Sequence, residues 1–177
     1  MTHLLRAAHV VILAILVSGC GYALVGTTSN LPEHIKRIGI PAFQNLTSTS
    51  ELDRIFTDAV MAEFSSRGKY TIVASATGVD AVLTGSIQSV TLTPTAFSST
   101  QQALKYSLDV IVAGEFKDTK DNRVIWSQTL PAAEIYDVPA GGAVTTLSTL
   151  FIQDRNAFER LAKAFAIKLV SSVLEAQ

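Results

Sequence analysis

The feature that most constrains this chain is the position of its one cysteine, Cys20. It follows an apolar run, Val10-Val11-Ile12-Leu13-Ala14-Ile15-Leu16-Val17, and two small residues, Ser18 and Gly19. Arg6 and the amino terminus put positive charge ahead of the run. A charged start, a short apolar core and a small-residue cleavage site describe a secretory signal, and the run is too short to span a bilayer as a stable helix. Two consequences follow for folding. Residues 1–19 stand apart from the folded domain. The remainder has no second thiol, so it forms no intramolecular disulfide in a compartment that permits one, and packing must hold it together.

The stretch Leu16-Val17-Ser18-Gly19-Cys20 resembles the lipobox of bacterial lipoproteins. Small side chains at Ser18 and Gly19 let the backbone lie close in a peptidase groove, and the Cys20 thiolate is a good nucleophile for accepting a lipid. The resemblance implies that Cys20 is the lipid attachment site, diacylated through sulfur and acylated again on its new amino group. Two chains already give stable anchoring, at about 0.8 kcal/mol per buried methylene. Gly21, where an Asp would retain an enterobacterial lipoprotein in the inner membrane, points to the outer membrane.

Cleavage before Cys20 leaves 158 of the 177 residues, enough for one domain with a real core. Arg6 leaves with the signal, so 13 basic residues face 15 acidic ones, a net charge of −2. That is no footprint for nucleic acid. No second apolar run reaches membrane length, so the mature domain is expected to be soluble and tethered.

Residues 20–34 read as an extended leader, a spacer or a strip along the domain edge, and residues 35–177 as a single α+β domain. Residues 37–43 form a first strand that Pro41 ends or places at an edge. Ser50 is a candidate N-cap for a helix from Glu51 to Arg67, with Asp53 near a capping-box position. Leu52, Ile55, Phe56, Ala59, Val60 and Phe64 share one face of that helix, Arg54 and Asp58 pair on its solvent side, and Gly68 ends it. Residues 69–73 form a second strand, parallel to the first because a crossover helix joins them. Asp80 to Pro94 is a third strand that needs a bulge near Gly85. Residues 93–102 are a polar loop carrying Phe97. Alternation from Lys105 to Phe116 marks the clearest strand, the turn Lys117–Asn122 follows, and residues 124–130 pair back. Pro131 to Gly142 is a connector. One long helix from Thr146 to Leu174 packs its wide apolar stripe on the sheet. These elements sum to a two-layer domain, a mixed sheet of about four to five strands with two helices on one face.

Nothing in this order assembles catalytic chemistry. His3 and His9 leave with the signal, and His34 stands alone in the leader as a solvated loop residue. No P-loop, nucleophile elbow or metal-ligand spacing occurs, and no cofactor is implied. Glu115 and Asp118 mimic a carboxylate pair, but with Lys117 and Lys120 beside them they read as surface charge, and Asp118 and Asp121 suit a hairpin turn. Catalysis is not expected. For binding, Phe97 is either a contact point or tucked under its hairpin, and Trp126 reads as core. Lys105, Lys117, Lys120 and Arg123 either meet lipid phosphates or form an ordinary soluble surface.

The residues then fall into a recognisable order. Gly19-Cys20-Gly21-Tyr22 opens the mature chain, Leu31-Pro32-x-His34-Ile35-Lys36-x-Ile38-x-Ile40-Pro41-x-Phe43-x-Asn45 leads into Leu52–Arg67, and Gly68-Lys69-Tyr70 follows. Ala157–Ala166 and Val170–Glu175 close it. This is similar to the lipopolysaccharide-assembly outer-membrane lipoproteins called LptE, over nearly the whole mature chain. The resemblance implies a lipid-anchored plug inside a large outer-membrane β-barrel, which it helps to assemble, in contact with lipopolysaccharide. A barrel interior is polar, so a plug needs polar complementarity. Residues 93–102 hold no basic side chain, so no lipopolysaccharide-binding residue carries over. The first half also resembles outer-membrane lipoproteins that activate peptidoglycan synthases, though those would carry a longer tether. A lipid-anchored envelope enzyme is the remaining alternative.

Overall fold

A computed structural model describes residues 30–139, 144 and 146–176. The strand with the clearest alternation in sequence is the centre of the structure. β5 (Ala103–Asp118) buries Leu108, Val110, Val112, Gly114 and Phe116 on one face, while Ile111 and Glu115 on the other are exposed. Antiparallel neighbours flank it: β4 (Ala81–Phe97) on one side and β6 (Arg123–Asp137) on the other. β1 (Arg37–Gly39) runs parallel to β4 and to β3 (Thr71–Val73), giving the order β3-β1-β4-β5-β6, and short β2 (Gln44–Asn45) also pairs with β4. The first two long-range strands are thus parallel, as the crossover between them requires.

That crossover is α1 (Leu52–Ser66), which buries Leu52, Ile55, Phe56, Val60 and Phe64. Gly68 follows it at φ +69°, the left-handed conformation expected of a helix-ending glycine. Its start differs from the expectation that Ser50 caps it. The residue before the helix is Glu51, at φ 65°, and no side chain caps it. Glu51 turns its carboxylate instead to Arg155 at 2.8 Å and Arg54 at 3.1 Å.

The C-terminal stripe is two helices, not one. α2 (Leu147–Gln153) and α3 (Arg155–Leu174) meet at Asp154, whose φ −145° and ψ 80° are not helical. Asp154 and Asn156 are poor helix formers. The break is held by an edge-on contact of Phe151 with Phe158, centroids 5.0 Å apart, and Arg160 reaches Asp154 at 3.6 Å. Thr146 caps α2, accepting from the Thr149 N–H at 3.1 Å. α1 and α3 lie side by side on one face of the sheet, with Phe56 and Phe165 rings 5.5 Å apart.

Two strands run further than the sequence reading. β4 continues through Phe97, so the loop expected at residues 93–102 shrinks to 98–102, where Ser98 Oγ accepts from the N–H groups of Thr100 and Gln102. β6 continues past Pro131 to Asp137, replacing the expected connector. Proline is tolerated because β6 is an edge strand, and the Pro131 carbonyl accepts from Lys168 Nζ at 2.9 Å. The ladder of β4 with β5 shifts register between Ile87 and Ser89, a few residues past Gly85, and again at Pro94/Ala96 and Ala96/Phe97. Gly85 is register partner to Gly114, and the pair makes room for two rings: a Cβ at Gly85 would meet Phe43 at 2.5 Å, and one at Gly114 would meet Trp126 at 2.8 Å.

Candidate functional site

Cys20, the expected lipid attachment site, lies outside the described residues. The segment downstream of it is placed, and it docks at one end of the sheet. Asn30 donates its backbone N–H to the Leu174 carbonyl at 2.9 Å, and its side chain reaches the Glu175 carbonyl at 3.3 Å. Leu31 and Ile35 are buried against the core. Of the two readings of the leader, its described end is therefore a strip packed along the domain edge.

His34 is not a free loop residue. Its Nε2 lies 2.8 Å from Asp118 Oδ2. Asp118 is fully buried, which corrects its reading as surface charge. Two-residue alternation from Phe116 puts Asp118 on the core face of β5, and the turn closes over it. Oδ1 accepts from the N–H groups of Lys120 at 2.8 Å and Asp121 at 3.4 Å. Burial pushes the carboxyl up, but these two N–H groups and His34 outweigh it and hold the acid below its ordinary value. Asp80 does the same for the entry of β1. It accepts from the N–H groups of Lys36 and Arg37, at 2.9 and 2.8 Å, and is likewise held low, chiefly by those bonds. Asp118 thus ties the leader to the end of β5, and Asp80 fixes the start of β1 beside β4. The signal for Asp118 was present in sequence as its even spacing from Phe116. Its partner His34, 84 positions away, had no local signal.

Glu115 is not brought to Asp118. It is exposed on the opposite face of the strand. Among the described residues no group of three His, Cys, Asp or Glu side chains is placed to hold a metal, and no helix is long and apolar enough to cross a membrane. A groove of about 390 Å³ between α1 and α3 is lined by Arg54, Asp58, Arg155 and Glu159, all engaged in ion pairs. Trp126 is core, as expected, and its indole N–H donates to Ser172 Oγ at 2.8 Å. Phe97 is 58% exposed at the far tip of the β4–β5 hairpin and is not tucked under it. Lys105 pairs with Asp137 at 2.9 Å at that far end, whereas Lys117, Lys120 and Arg123 lie at the leader end.

The helices cover one face of the sheet. The other carries Thr84, Ser86, Ser89, Thr91 and Thr93 from β4, Ser107, Asp109, Ile111, Ala113 and Glu115 from β5, and Ser127, Thr129, Ala133 and Ile135 from β6. None of these is buried. Small hydroxyl residues dominate it, and a shallow groove of about 340 Å³ runs beside Thr84, Ser86, Glu115 and Ser127. Among the described residues this face is uncovered, and it mixes hydroxyl side chains with the exposed apolar Ile111 and Ile135.

Comparison with known proteins bears on this geometry. No curated protein matches the chain. Among solved structures, the hypothetical protein CT253 from Chlamydia trachomatis superposes with a TM-score of 0.53 at 14% identity, covering 81% of this chain and 99% of that one. The PelC dodecamer subunit from Paraburkholderia phytofirmans gives 0.53 at 14%, over 84% and 96%. Uncharacterized lipoprotein B from Nitrosomonas europaea gives 0.51 at 16%, over 87% and 90%. These likenesses are of fold. A family model described as LptE, lipopolysaccharide-assembly, matches residues 35–174, from the buried Ile35 to the last residue of α3. That span takes in every strand and helix described above, and the chain belongs to the LptE family of lipopolysaccharide assembly.

Proposed function

We propose that this protein is an outer-membrane lipoprotein, anchored through Cys20, whose domain plugs the lumen of a large β-barrel that delivers lipopolysaccharide to the cell surface and helps that barrel assemble. Its role is binding, without catalysis. The observation that carries this reading is the uncovered sheet face. Its many Ser and Thr side chains, with Asp109 and Glu115, give a surface that complements the polar, water-accessible wall of a barrel lumen, alongside the exposed Ile111 and Ile135. Lipidation at Cys20 would confine the search for the barrel to the membrane plane.

The test is purification of the tagged full-length protein from its own membranes in mild detergent, with mass spectrometry of what remains bound. A stoichiometric large β-barrel that survives washing is the expected result. Recovery of a peptidoglycan synthase instead, or of the protein alone in the inner membrane, would overturn the reading. Cys20→Ala, exported by another signal at native expression, should fail to support full barrel assembly.

A further inference from the structure

The two outermost edges of the sheet are blunted. β3, on one side, is three residues long. β6, on the other, carries Pro131, which has no N–H to offer and whose carbonyl is taken by Lys168 Nζ at 2.9 Å, and Arg160 reaches onto Glu134 of the same strand. Short strands, prolines and charged side chains are the usual means of closing an edge. A third edge lies within the strand order and has none of the charged ones. β1 and β2 pair with β4 only between Ala81 and Ile87, whereas β4 runs on to Phe97. From Gln88 onward, among the described residues, no strand lies on the side of β4 away from β5.

The register shows what this edge presents. Ile87 stands opposite Val112, and its carbonyl points away from β5 to the Leu46 N–H at 3.0 Å. Val90, Leu92 and Pro94 stand opposite Val110, Leu108 and Tyr106, which follow Val112 at steps of two, so they turn their backbone groups the same way. The edge therefore offers the N–H groups of Val90 and Leu92 and the carbonyls of Val90, Leu92 and Pro94. Pro94 fits there because an outward nitrogen takes no part in the ladder with β5. The side chains of Val90 and Leu92 are half-buried against the core on the helix face, and those of Thr91 and Thr93 are exposed on the other. Leu46, 57% exposed, stands where the open edge begins, and Phe97 where it ends. No charged residue occurs from Ala81 to Leu104.

We infer that the open edge of β4 from Gln88 to Phe97 accepts an extended, uncharged segment of a partner polypeptide, which adds to the sheet as a further strand beyond β2. Outward N–H and carbonyl groups on alternate residues match the backbone of an extended chain. The flanking side chains specify the segment. On the helix face it continues the apolar strip of Val90 and Leu92 and covers Leu46, so alternate residues are apolar. On the other face it lies beside Thr91 and Thr93, so the residues between them are small or polar. A charged side chain would find no counter-ion along this stretch of β4, which is why the segment is uncharged. A second copy of this chain fits less well: with Leu92 set opposite its own counterpart, Phe97 falls opposite Ile87, whose outward carbonyl Leu46 already occupies. The inference concerns an edge, not the uncovered sheet face, and does not depend on the partner being a barrel.

The test places a benzophenone amino acid at Leu46 or at Pro94 of the full-length protein in its own cells, with mass spectrometry of the photoproducts. The two positions bracket the edge, so both should mark one contiguous partner segment, at points about six residues apart as strand geometry requires. Leu92→Pro removes an outward N–H that the ladder with β5 does not use, and should lower the yield from the Leu46 probe on the order of tenfold, while Leu92→Ala, which keeps the N–H, should retain most of it. Circular dichroism checks that both variants fold, and the spacing of the two marks needs neither of them. Marks on unrelated segments, on this chain itself or on lipid alone, no photoproduct, or equal yields from folded Leu92→Pro and its parent would overturn the inference. A marked strand in a protein that is not a barrel would uphold it and count against the plug reading, and a barrel recovered in detergent without any photoproduct would do the reverse.

Discussion

His34 Nε2 and Asp118 Oδ2 lie 2.8 Å apart, joining the leader to the turn that closes the central hairpin. The carboxylate is fully buried and accepts from two backbone N–H groups as well. The contact therefore organises three segments: the leader, the end of β5 and the start of β6.

Removing the carboxylate should unfasten them together. Asp118→Ala leaves two turn N–H groups and His34 without their acceptor, and a hydrogen bond to a charged acceptor contributes about 1.5–3 kcal/mol. We expect a loss of about 2–4 kcal/mol, read as a lower urea midpoint at an unchanged slope. An unchanged midpoint would show that the turn closes without it.

The same acid sets a pH dependence. Asp118 and Asp80 are both held below the ordinary aspartate value of 3.8. A group whose pKa is lower in the folded state stabilises above its unfolded value, and that stability is lost as pH falls through the folded value. These two contributions should thus be constant from neutral pH down to about 4 and decline below it. Asp118→Asn should flatten the acid limb, as measured by urea unfolding across that range.

The paired glycines make a packing prediction. Gly85→Ala would set a methyl 2.5 Å from the Phe43 ring, and Phe43, at 2% exposure, has nowhere to go. Overpacking of this kind costs about 1–3 kcal/mol. Phe43→Leu should recover part of the loss in the Gly85→Ala background while destabilising the parent, a non-additivity that a double-mutant cycle measures.

The uncovered sheet face should separate stability from function. Thr91 and Thr129 are exposed on it. Thr91→Arg with Thr129→Arg should change stability by no more than about 0.5 kcal/mol each, yet abolish capture of the barrel in the detergent purification. Full capture by a folded double variant would exclude this face from the lumen contact.

What the amino-acid order determined by itself is what depends on near neighbours. Alternation from Lys105 to Phe116 specified β5 and its buried face, the apolar period from Leu52 to Phe64 specified α1, Gly68 ended it, and strand, helix and strand in succession made β1 and β3 parallel. What only the tertiary structure decided depends on partners far along the chain. β4 and β6 run past Pro94 and Pro131 because β5 offers both a long ladder. The C-terminal stripe breaks at Asp154, where Phe151 meets Phe158 and Arg160 turns back to the break. Glu51 displaces Ser50 at the start of α1, with its carboxylate held by Arg155 from another helix. Asp118 could be read as a surface turn residue until His34, 84 positions earlier, was placed beside it. A lone acid in a turn and a lone histidine in a leader are each cheap to solvate, and only their meeting in the folded chain makes burial of the acid favourable.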